Sequence, residues 1–172
     1  MTGGHTRWWC GEGVWNGFDT WQGVFTLPGM PVKTSKKDRN KAIVRDFQES
    51  LWRGDFSVLD KYVPQGIWLT PEAREQLKEG KRAAMRAMPD LTFTIDELIG
   101  EGDTVILRWT IAGTHSTDTP TPFGLAKASG KHVAHRGFSL HHLKDGMIID
   151  DLFGSNIMDY WAQLGVLPKS GG

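Results

Sequence analysis

Apolar residues recur along this chain with two different periods, and the period changes near residue 90. From Asp38 onward, Ile43, Val44, Phe47 and Leu51 fall at helical spacing behind the possible N-caps Ser35 and Asp38, which predicts a first helix ending near Gly54. A short second helix is expected over Phe56 to Tyr62, stopped by Pro64, and a brief strand over Ile67 to Leu69. Pro71 at a first-turn position, followed by Glu72, Glu75 and Glu79, opens a third helix that reaches about Met88 and is ended by Pro89.

Beyond that proline the period is two. Leu91, Phe93 and Ile95 alternate with Thr92, Thr94 and Asp96, while Val105, Leu107, Trp109 and Ile111 alternate with Ile106, Arg108 and Thr110. Gly100-Glu101-Gly102-Asp103 forms the turn between these two strands. A loop rich in Thr, Pro and Gly (Ser116 to Gly130) leads to a third long strand, Lys131 to Leu143. Lys144-Asp145-Gly146 turns the chain into a fourth, Met147 to about Ser155, and an amphipathic helix over Met158 to Leu164 follows. Helices first and antiparallel strands afterwards make the expected fold α+β, with the helices on one face of the sheet.

Residues 1–38 stand apart, with four of the eight tryptophans (Trp8, Trp9, Trp15, Trp21), seven glycines and no sustained period. They read as an N-terminal extension, an arm over the domain or its pocket, or an interface segment; the domain proper is expected over 39–168, with a tail at 169–172. The 172 residues suit one domain that buries about two-thirds of its unfolded surface. Twenty basic and twenty acidic side chains balance, which argues against nucleic-acid and anionic-membrane partners. Cys10 is the single cysteine, so no intramolecular disulfide can form, and no apolar run is long enough to span a bilayer. The opening MTGGHTRWWC has no secretory-signal pattern, so a cytoplasmic location is expected.

Neither a phosphate-binding glycine loop, a dinucleotide-binding glycine pattern, a zinc-spaced Cys/His set nor a nucleophile elbow occurs, so no metal or cofactor is expected. Chemistry then has to come from strand parity. If Leu143 and Met147 flank a three-residue turn, Ser139 faces Asp151, His141 faces Ile149 and Gly137 faces Phe153, with His141 and Asp151 as diagonal neighbours. His135, Ser139, His141, Asp151 and Ser155 then share one face. An imidazole and a carboxylate on a concave apolar wall suit general acid–base work, because burial brings either pKa towards neutrality. Asp151 and His141 are the expected catalytic pair; Trp109 and His115 join His135, Ser139, Phe153 and Ser155 as expected ligand contacts. Plainer roles stand beside these: a satisfied structural group for His135 and His141, a solvated carboxylate for Asp151 or its neighbour Asp150, a hydrogen bond fixing a loop for His115, core packing for Trp109, Trp68 and Phe93, and a structural ion pair for Arg108. His132 and His142 have the opposite parity and are expected on the outside.

From Asn40 to Leu167 the chain resembles the SnoaL-like polyketide cyclase (ester cyclase) family of the nuclear transport factor 2-like superfamily. The resemblance is carried by Asn40 to Phe47 with Trp52-Arg53-Gly54-Asp55, by Met88-Pro89-Asp90-Leu91, and by Glu101-Gly102-Asp103 with Arg108-Trp109-Thr110. Gly113-Thr114-His115, Ser129-Gly130-Lys131, Arg136-Gly137, Asp145 to Asp150 and Gln163-Leu164-Gly165 add to it in the same order. It implies a cone of helices packed on a strongly curved antiparallel sheet, commonly dimeric through that sheet. It also implies cofactor-free ring closure of an apolar or polyketide-like molecule by an intramolecular aldol step, with an Asp and a nearby His moving the proton. Read without gaps, the family's catalytic Asp falls on Phe153, its His on Ser139 and a further His on Thr70. Three functions are therefore expected in turn: an enzyme with relocated groups at Asp151 and His141, a non-catalytic binding domain for an apolar small molecule, or an isomerase or epoxide hydrolase of the same superfamily.

Overall fold

A computed structural model describes residues 34–167. Trp8 to Trp21 lie outside the described residues.

Helix α1, Lys36–Trp52, takes in the last three residues of the segment read as an extension, because Ser35 and not Asp38 is its N-cap: the Ser35 hydroxyl accepts the Asp38 N–H at 3.1 Å. Val44, Phe47 and Leu51 bury its apolar stripe, and Gly54 at φ +83° lets the chain leave the helix. Helix α2, Ser57–Tyr62, is followed by helix α3, Pro71–Ala87, which Thr70 caps by accepting the Ala73 N–H. Arg74 of α3 is buried and donates to the carbonyls of Val63 and Pro64, satisfying backbone acceptors just past α2. The strand expected over Ile67 to Leu69 does not form. No neighbouring strand lies there to pair with it, and Trp68 instead donates its indole N–H to the Ile148 carbonyl at 3.1 Å.

Strands β1 (Thr92–Glu101), β2 (Thr104–Thr114), β5 (His132–Lys144) and β6 (Met147–Ser155) make one antiparallel sheet in the order β1-β2-β5-β6. Within the expected Ser116 to Gly130 loop, Thr119–Thr121 and Gly124–Ala126 form a small separate hairpin, β3-β4. Helix α4, Ile157–Leu164, ends at Gly165, φ +76°. The result is α+β, helices against a bent sheet whose edges β1 and β6 do not meet. Val44, Phe47, Leu51, Val105, Leu107, Ile111, Val133 and Ile148 are among the residues that fill the core between the layers. Among the described residues no helix is long and apolar enough to cross a membrane.

Two bulges set which side chains point inward. In β1, Ile95 pairs with Trp109 but Glu97 pairs with Arg108, so Asp96 is the extra residue and Leu98, of opposite parity to Ile95, still faces the core. In the β5–β6 hairpin the turn is two residues, Asp145 and Gly146, both left-handed at φ 51° and 81°, as a tight hairpin of this hand requires. Lys144 thus pairs with Met147 and Leu143 with Ile148, until Ile149 bulges out and His142 pairs with Asp150. This corrects the three-residue turn inferred from the sequence. Past the bulge His141 faces Asp151, Ser139 faces Phe153 and Gly137 faces Ser155.

Candidate functional site

Between α1, α3 and the inner face of the sheet lies a cavity of about 700 Å³. Its walls are mostly apolar: Phe47, Leu51 and Trp52 from α1, Trp68 and Leu69 from the loop between α2 and α3, Leu77 from α3, and Trp109, Ile111 and Phe153 from the strands. The polar groups that reach it are few, namely Gln48, Gln76, Lys81, His135, Ser139 and Asp151. A largely apolar hollow with a handful of convergent polar groups has the make-up of a small-molecule site.

His141 and Asp151 are brought side by side by the register past the Ile149 bulge, with Nδ1 and Oδ1 3.3 Å apart. His141 is wholly buried, with the Phe47 ring edge-on to it and the Gln48 amide nitrogen 3.2 Å from its Nε2. Since an amide nitrogen only donates, Nε2 accepts, and the neutral ring carries its proton on Nδ1, facing Asp151. Burial alone drives the His141 pKa down to about 4, so at neutral pH the ring is uncharged. Burial raises that of Asp151 to about 6, against the opposing pull of the Lys81 charge. Neither Nδ1 nor Oδ1 has an aligned hydrogen-bond partner; Asp151 lines the cavity, whereas His141, expected as its catalytic partner, lies behind the wall and does not line it.

The remaining groups fall into place around this pair. Ser139 is buried and accepts the Trp109 indole N–H at 3.2 Å, which leaves its own hydroxyl proton free to be donated. Trp109 can lie there because Gly137 sits opposite: a Cβ at Gly137 would come within 2.5 Å of the indole. His135 stands edge-on to Trp109 and stacks on Tyr160, and its buried Nε2 has no partner. Desolvation also lowers its pKa. Phe153 lines the cavity yet is 70% exposed, which places it at the mouth. Lys81 rests its Nζ 3.4 Å from the centre of the Trp52 ring, and burial brings its pKa down to about 7.

Two residues expected at the ligand lie elsewhere. His115 is fully buried with its nitrogens near the Ser129 and Thr119 hydroxyls at 3.3 and 3.1 Å, where it ties the β3-β4 hairpin to the sheet. Ser155 lines a shallower depression beside Arg108, Arg136 and Phe138, because the register moves it past the cavity rim. Arg108 is engaged with Asp96 and Glu97, as an ion-pairing role predicts. The sequence reading missed Gln48 and Lys81. Each interrupts an apolar helical stripe, Gln48 following Val44 and Lys81 following Ala73 and Leu77 at four-residue steps, and that interruption was the available signal. Among the described residues no group of three or more His, Cys, Asp or Glu could hold a metal ion.

The family model for SnoaL-like polyketide cyclase matches residues 41–164. No curated protein matches the chain. Among solved structures it is similar to AclR, a candidate hydroxylase from Streptomyces galilaeus, at 22% identity over 77% of this chain and 99% of that one, with a TM-score of 0.63. It is also similar to a candidate polyketide cyclase from Acidithiobacillus ferrooxidans, at 22% identity over 76% and 97% with a TM-score of 0.60. IdmH, a candidate polyketide cyclase from Streptomyces antibioticus, aligns at 21% identity over 74% and 99%, again with a TM-score of 0.60. At such identities the likeness establishes a shared fold.

Proposed function

The chain belongs to the SnoaL-like polyketide cyclase family, and from that premise we propose that it is an acid–base enzyme acting on an apolar, polyketide-like carbonyl compound, with Asp151 moving the proton. The observation that carries this reading is the contact between Asp151 and His141 at 3.3 Å, with Asp151 on the wall of a mostly apolar cavity. A carboxylate with a pKa of about 6 is ionised at neutral pH but more basic than an ordinary one, so it is suited to take a proton from carbon next to a carbonyl. The Nδ1–H of His141, held in that tautomer by Gln48, stands 3.3 Å from the carboxylate. Ser139 supplies a hydroxyl to the developing enolate oxygen, in a cavity whose low dielectric strengthens the bond. The protonated Asp151 then returns the proton to the new alkoxide when the ring closes. These steps need side chains alone and no cofactor.

The test is α-proton exchange of 2-tetralone, an apolar ketone, in heavy water, followed by NMR. Asp151→Asn is expected to reduce the exchange catalysed by the protein by about two orders of magnitude or more, with the thermal melt preserved. His141→Ala is expected to reduce it less. Exchange unchanged in both variants rules the assignment out. The alternative of a non-catalytic container draws support from Phe153, which lines the cavity mouth and on which the ungapped reading of the resemblance puts the family's catalytic Asp. That reading takes over if the wild-type protein binds the ketone without accelerating exchange.

A homodimer through the outer face of the sheet forms part of the same proposal. Register aligns Ile99, Ile106, Leu140 and Leu152 in one row across all four strands, with Ile99, Ile106 and Leu152 exposed. An apolar row of this kind, flanked by Glu97 and Arg108, is suited to meet a second copy of itself.

A further inference from the structure

We infer that Lys81 is a carbonyl-capturing amine, which condenses with a ketone or aldehyde held in the cavity to form an imine. This rests on the reading above only in taking the ligand to carry a carbonyl. The geometry is that of an unpaired lysine. Along α3, Arg74 pairs with Asp60, Lys78 with Glu75, and Arg82 and Arg86 with Glu79. Lys81 alone among these cations has no carboxylate partner among the described residues; its Nζ lies over Trp52 and its side chain lines the cavity.

An ammonium stripped of water and with no carboxylate in salt-bridge contact favours its free base even against the pull of the Asp151 charge, and the free base has the lone pair that attacks carbon. In agreement, the amine titrates near neutrality. The titratable groups facing it are Asp151 on β6 and His135 on β5; α1 presents Gln48 and Trp52, which do not titrate. The nitrogen lone pair forms the C–N bond while the carbonyl π pair moves to oxygen. The unpartnered Nε2 of His135 takes the proton that the nitrogen sheds and delivers it to the oxygen, giving the carbinolamine. The second nitrogen proton passes to the Asp151 carboxylate and from it to the hydroxyl, which leaves as water as C=N forms. Amine and ketone thus become imine and one water, with nothing oxidised or reduced.

Reductive trapping tests it. The full chain is incubated with 2-tetralone and cyanoborohydride, digested, and mapped by mass spectrometry. Lys81 is expected to gain the mass of the ketone less one oxygen atom, at pH 7 at least about tenfold faster than any other lysine. Its rate should rise through about pH 7, whereas exposed lysines rise nearer ~10.4. Lys81→Arg, which keeps a cation over Trp52, is expected to lose this fast adduct while its melting transition is retained. Labelling of Lys81 no faster than surface lysines, or fast adduct formation persisting in Lys81→Arg, overturns the inference. α-Proton exchange without an adduct removes only the role of Lys81, whereas an adduct combined with exchange indifferent to Asp151→Asn removes only that of Asp151.

Discussion

Asp151 and His141 carry opposite pH dependences within one contact. The Asp151 pKa is raised from 3.8 to about 6, so its contribution favours folding below pH 4 and is lost as pH rises through 6. That of His141 is lowered from 6.5 to about 4, so its contribution is present above pH 6.5 and lost as pH falls through 4. Each amounts to roughly 3 kcal/mol at full extent, and over pH 4 to 6 the two largely cancel. Asp151→Asn removes one side of that balance. Its urea midpoint is expected to fall on acidification from pH 6.5 to 4 more steeply than that of the wild type; parallel profiles would refute the opposition. The residues of this pair were both legible from strand parity, since each sits among inward-facing neighbours. Their direct opposition was not, because it depends on one bulged residue.

At the scale of elements, the helices arise from signals within a few residues of themselves: Ser35 and Thr70 cap, Pro71 starts, Gly54 releases. Strands likewise arise from period two, but their register does not. Bulges at Asp96 and Ile149 each reverse the parity of the residues beyond them, and neither is a turn residue that marks itself. The strand expected over Ile67 to Leu69 fails for a related reason, since apolar residues become a strand only beside a partner. Gly137 gives this scale its prediction. An added Cβ would meet both the Gly154 carbonyl and the Trp109 indole at 2.5 Å, so Gly137→Ala must push the indole or the β5–β6 ladder aside. Chemical denaturation is expected to show a loss of about 2 kcal/mol, together with altered tryptophan fluorescence. An unperturbed variant would mean that Trp109 is not held against this strand.

For the whole molecule, the open sheet leaves one face against the helices and the other uncovered among the described residues. The proposed dimer makes a definite forecast there. Leu152, 61% exposed in the apolar row, tolerates Lys in a free protomer but not at a symmetric apolar interface. Analytical ultracentrifugation is expected to give a dimer for the wild type and a monomer for Leu152→Lys, with the melt of the protomer little changed. A monomeric wild type, or a variant that stays dimeric, would dismiss the sheet as the interface. Local pattern along the chain was enough to set the α+β order of elements, the inward set of β5 and the family, because caps, periods and turn residues act over short distances. The site came from three-dimensional packing: which strand position meets which, that Gln48 fixes the His141 tautomer, and that Lys81 faces the cavity with no carboxylate in salt-bridge contact. Those depend on contacts between residues far apart in the chain, on bulge placement and on burial, and a one-dimensional pattern carries none of the three.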